Sequence, residues 1–122
     1  MLLGKIIQTV SGRRRVVINY RAWLYTGEQV TGVVCTVDQG EATVDTIVIA
    51  PDGKSVSFFL DGGTLGDLFN IIVEANTNIT QRRYDTVAAS VETNGGATIL
   101  SGQTALMLSI VGPTGPTGPT GP

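Results

Sequence analysis

The side chains able to do chemistry in this chain are few, and their absences narrow the choice of reaction. The 122 residues include no histidine and a single cysteine, Cys35. Histidine bases, histidine-containing metal sites, Ser-His-Asp triads and thiolate zinc clusters are therefore excluded. Cys35 lies inside the apolar run Val33 to Val37. It reads as a small buried hydrophobe, because no histidine is present to make it a nucleophile. With no second cysteine to pair with, the fold needs no oxidising compartment. The acids are scattered singly. Asp61 and Asp67, on either side of Gly62–Gly66, come closest to a paired-carboxylate or calcium site. Acids beside glycine more often serve turn geometry. The same stretch lacks the Lys-Ser/Thr ending and the following helix of a phosphate loop. No cofactor is expected, and an enzyme is the least expected class.

One cluster of charge stands out. Arg13, Arg14 and Arg15 are consecutive, and three guanidinium groups can grip phosphate or an acidic partner. The plainer reading is a solvated turn between two strands, and a third is contact with an acidic neighbouring subunit. A net charge of −2 and a pI of about 4.9 argue against a nucleic-acid binder. No stretch is long and apolar enough for a transmembrane helix, and the first ten residues lack the pattern of a signal peptide.

The second feature is the C-terminal run from Gly112, which reads Gly-Pro-Thr three times and then Gly-Pro. The glycines are Gly112, Gly115, Gly118 and Gly121, each followed by a proline: Pro113, Pro116, Pro119 and Pro122. Glycine at every third position is what a collagen triple helix requires, since only glycine fits at its crowded axis. Proline lowers the entropy cost of holding each chain extended. The alternative is a Pro/Gly spacer. At the polyproline rise the run spans roughly 30 Å. So short a repeat does not hold three chains together by itself. The expectation is therefore a homotrimer organised by a folded domain over 1–111, with 112–122 as its stalk. The repeat stops within a triplet, which suggests that the natural chain continues. Thr114, Thr117 and Thr120 are candidate glycosylation positions with nothing that requires it.

The elements that must position these residues read as β-strands. Charged residues make up 15% of the chain, against about a quarter in an ordinary globular protein. Threonine, serine, asparagine and glycine carry the hydrophilic share, which suits strands and turns better than surface helices. Strand-like runs fall at 5–10, 15–20, 29–37, 42–50, 55–60, 68–75, 86–92 and 103–111. Segment 21–25 is either a helical turn or more strand, and Gly32 marks a possible bulge. Run 42–50 is apolar on both faces (Val44, Thr46 and Val48 on one, Asp45, Ile47 and Ile49 on the other), which suggests a central strand. Pro51-Asp52-Gly53-Lys54 is the strongest hairpin signal. Phe69, Ile71 and Val73 share a face, and Leu106, Leu108 and Ile110 form an apolar stripe before the repeat. Seven or eight strands at this spacing predict an all-β sandwich.

Two stretches resemble small structural proteins of tailed bacteriophages, described as fibre-tail adaptor or virion proteins. One is Val16 to Val30, which holds the tryptophan and the pattern Leu-x-x-Gly-Glu-x-Val at Leu24–Val30. The other is Phe58 to Val91, with the Gly-Gly-Thr-x-Gly corner at Gly62–Gly66 and a final Val-x-Val-like strand. Phe69 and Asp67 depart from the pattern, where tyrosine and threonine are usual. The resemblance implies an immunoglobulin-like antiparallel β-sandwich on a virus particle, either as a capsid head fibre or decoration or as a tail-fibre adaptor. Its partners would be the major capsid protein or tail and fibre proteins. A different class, a glycan-binding adhesion module for cell-surface sugars, would need Tyr20, Trp23, Tyr25 or Tyr84 exposed; these read rather as core or corner residues. A bacterial surface collagen-like filament protein is a further alternative.

Overall fold

The computed structural model describes residues 1–99 and 107–111. The collagen-like positions expected from the sequence, Gly112, Pro113, Gly115, Pro116, Gly118, Pro119 and Gly121, all lie outside the described residues, as does Leu106. Nine strands are described: β1 (Leu2–Gln8), β2 (Arg13–Asn19), β3 (Val30–Asp38), β4 (Thr43–Ile49), β5 (Ser55–Asp61), β6 (Leu68–Thr77), β7 (Arg82–Val91), β8 (Gly96–Ile99) and β9 (Met107–Val111). No helix occurs among the described residues. They form a five-stranded sheet in the order β3-β6-β7-β1-β8 and a four-stranded sheet in the order β4-β5-β2-β9.

Alternation explains why these runs are strands. In β5, Val56, Phe58 and Leu60 are buried while Ser55, Ser57 and Phe59 are not. In β6 the buried apolar set is Phe69, Ile71, Val73 and Ala75, and in β7 it includes Val87, Ala89 and Val91. Successive side chains of a strand point to opposite faces, so each strand offers one apolar row. The rows of both sheets join in one core with Leu3, Ile6, Val16 and Ile18. Each fully buried large side chain here is worth roughly 1.5–3 kcal/mol of transfer free energy.

Two expectations are corrected. The sheets are not wholly antiparallel, because β1 pairs with β7 in parallel and with β8 antiparallel. β7 and β8 run in opposite directions, so a strand inserted between them must be parallel to one. Nor is β4 central: it forms the edge of its sheet. Its pairing with β5 jumps from Asp45↔Phe59 to Val48↔Ser57, one extra residue on β4. Thr46 takes a positive φ of 54° at this point. Such a bulge reverses the face that follows it. Val44 and Ile49, on opposite faces of a regular strand, therefore both pack against the core.

Other boundaries shift less. The Gly32 bulge is present between Val30 and Gly32. The Pro51–Lys54 hairpin forms, with Gly53 at φ 70° and its amide donating to the Ala50 carbonyl at 2.8 Å. Segment 21–25 is a turn, with the Trp23 and Leu24 amides both donating to the Tyr20 carbonyl.

Candidate functional site

The two ends of the body hold its charged chemistry. At one end lie the turn 9–12, the glycine corner 62–66 and the start of β2. The arginine triplet is therefore not a turn, since Arg13, Arg14 and Arg15 are the first residues of β2. The strand separates them. Arg13 reaches across β5: its Nη1 and Nη2 donate to Asp45 at 2.9 and 2.7 Å, and Nη1 also donates to Asp61 at 3.0 Å. Its guanidinium lies 4.4 Å from the centre of the Phe59 ring. Hydrogen bonds, the one from Arg13 foremost, hold the Asp45 carboxyl down at about 2. Arg14 is half-buried and lies against Gly95, where an added Cβ would sit 2.6 Å from its Nη2. Arg15 is exposed, with Phe59 opposite it on β5 and Val111 opposite it on β9. Neither Arg14 nor Arg15 makes an ion pair among the described residues.

The pairing of β9 gives this end its meaning. β9 runs antiparallel to β2, and its last residue, Val111, meets Arg15. Val111, the residue before the glycine repeat, therefore lies at the arginine end. Asp61 and Asp67 do not form an acid pair: Asp61 is bound to Arg13, and Asp67 accepts the Glu41 amide at 3.3 Å. No group of three potential metal ligands occurs among the described residues.

The opposite end holds the segment Leu24–Val30. Gly27 takes φ 83°, and Glu28 turns inward with 2% of its surface exposed. Its carboxylate accepts the Tyr25 amide at 2.9 Å and Gln81 Nε2 at 3.0 and 3.1 Å. Burial alone would push the carboxyl up, but hydrogen bonds from Thr77, Tyr25 and Gln81 together hold it below its ordinary range. The Glu28 backbone carbonyl takes Lys54 Nζ at 2.6 Å. The motif is a lock that ties the 20–29 turn to two hairpins. Beside it, Asp85, 1% exposed, accepts both Nε and Nη2 of Arg83 at 2.8 and 3.1 Å, and Arg83 covers the Trp23 ring at 5.2 Å. Sequence reasoning missed both clusters. Asp85 carried a readable signal, an acid in the same alternating row as Val87, Ala89 and Val91; Gln81 carried none.

Of the four aromatic candidates for a sugar groove, Tyr20 is fully buried and Trp23 packs against the core, as read from the sequence. Tyr25 and Tyr84 are exposed instead, at 67% and 56%. Cys35 is half-buried beside the core, and burial pushes its thiol up to about 12, which disfavours the nucleophilic thiolate. A protein-family model described as podophage GP4 fiber-tail adaptor protein gp77 matches residues 8–92, more than half of the chain. No curated protein matches it.

Proposed function

This chain belongs to the podophage GP4 fiber-tail adaptor family, a structural component of the virion, and from that premise we propose that it joins a tail to a projecting collagen-like stalk as a homotrimer. The body, residues 1–111, is read as an immunoglobulin-like sandwich with a mixed five-stranded sheet. Residues 112–122 are read as the start of the stalk, with Gly112, Gly115, Gly118 and Gly121 at its axis. The observation that carries the reading is the exit of β9. The glycine repeat begins directly after Val111, at one end of a body whose lock and hairpins lie at the other.

That polarity reassigns the arginines. A triplet beside the stalk exit faces the fibre side, and Arg13 is committed to Asp45 and Asp61. Docking onto the tail then falls to the opposite end, where Tyr25, Ile79 and Tyr84 are exposed. The family favours the tail over the capsid as the point of attachment. The body binds and positions, with no catalytic residues assigned.

The test has two arms, the mass of the intact chain in solution and its partition among purified virion parts. A trimer that co-purifies with tails and is absent from tail-less heads is expected. Recovery on heads alone would overturn the tail assignment, and a monomer at all concentrations would overturn the trimer.

A further inference from the structure

We propose that the outer face of the four-stranded sheet, beside β9, is the surface through which copies of this chain pack around the stalk axis. The proposal rests on the trimer reading above and assigns its contact surface. Gly112 follows Val111 without a linker. Three chains winding about one axis must therefore bring their three β9 ends together at its mouth, and the sheet face next to β9 is drawn in with them.

That face is built for close approach. A groove of about 170 Å³ lies on it over β4, β5 and β2, with Arg15, Val17, Val48, Ala50, Ser55 and Ser57 among its lining residues. The serines and the alanine keep its floor low, while Val48, turned outward by the β4 bulge, is 49% exposed. Ser109 on β9 is also exposed.

The charges on the face are complementary to those of a second copy. Asp45 and Asp61 share the single guanidinium of Arg13, so this group keeps one net negative charge towards the β4 edge. Arg15, on the β9 side of the face, makes no ion pair among the described residues. A head-to-tail ring puts the positive side of each copy against the negative side of the next, and such an interface closes under three-fold symmetry. Arg15 of one copy then meets the Asp45–Asp61 pair of its neighbour.

The full chain tests this by light scattering, with Trp23 fluorescence as the check on folding. Val48→Asp and Arg15→Glu should each abolish the trimer mass at concentrations where the parent is fully trimeric. Arg15→Lys should keep it, and Leu68→Asp, on the other sheet, should leave it unchanged. Under oxidation, Ser109→Cys should give a cross-linked dimer band on a non-reducing gel. If the parent is a trimer but the folded Val48→Asp and Arg15→Glu variants stay trimeric and Ser109→Cys gives no cross-link, the surface is wrong while the trimer stands. If the parent is a monomer, the trimer reading fails and this surface fails with it.

Discussion

At the scale of single residues, the arginine triplet shows how a strand distributes chemistry that the sequence places together. Arg13 and Arg15 share a face and Arg14 takes the other, so one side chain joins an acid pair, one packs beside a turn and one stays free of ion pairs among the described residues. The Asp45 carboxyl, held at about 2 against an ordinary value of 3.8, reports the first of these. Because its folded value lies below the unfolded one, the stability it lends is present in full above about pH 4 and is lost as pH falls through 2. Both partners are half exposed, so the contribution is small. In Arg13→Ala, the Asp45 midpoint followed by NMR should move back up towards 3.8; an unmoved midpoint would remove Arg13 as the cause. Gly63 makes a second case. It takes φ 131°, and an added Cβ would lie 2.6 Å from Val91 Cγ2 in the core. Gly63→Ala should cost about 1–3 kcal/mol in urea unfolding, and a neutral result would show that the corner relaxes freely.

At the scale of elements, β4 is the instructive strand. Its composition reads as a central strand, yet it lies at an edge with a bulge at Thr46. Bulges twist an edge and interrupt its pairing, which guards against aggregation through open backbone groups. The bulge has a cost, because a β-branched residue in the left-handed region is strained. Thr46→Gly should therefore raise stability by roughly 1 kcal/mol, read as a higher urea midpoint at constant m-value. A lower midpoint would show that the hydrogen bond from Thr46 Oγ1 to Asp45, 2.8 Å long, outweighs the strain. The Leu24–Val30 motif belongs to this scale too: the pattern resembling a phage family is a structural lock in which Gly27 supplies the turn and Glu28 the buried acceptor.

At the scale of the whole molecule, the parallel β1–β7 pair joins the first strand to the end of the β6–β7 hairpin and closes the five-stranded sheet around it. The body then has two ends of different character, one holding Val111 and the start of β2 and one closed by the Glu28 and Asp85 clusters. If the body organises the trimer, a version ending at Val111 should keep the mass of the intact chain, less its repeats. A monomer from the shortened chain beside a trimer from the intact one would show that the repeat holds the copies together.

Much of this was legible in the sequence because it depends on neighbours along the chain. Period-two alternation marked β6, β-rich runs bounded by turn residues marked β5 and β7, the Asp52-Gly53 pair marked a hairpin, and the missing histidine closed off whole classes of chemistry. What the sequence could not supply depends on pairing across space. Which strand lies at an edge, that β1 runs parallel to β7, that Arg13 spans β5 to reach Asp45, and that Glu28 meets Gln81 are all set by contacts between residues tens of positions apart. A one-residue bulge is enough to defeat local reading, because it reverses every face that follows it. The sequence by itself thus determined an all-β body without histidine chemistry and a glycine-periodic tail, since composition and short-range periodicity carry those properties. Only the tertiary structure decided at which end of the body Val111 lies and which charges stand beside it, because those follow from strand order and register.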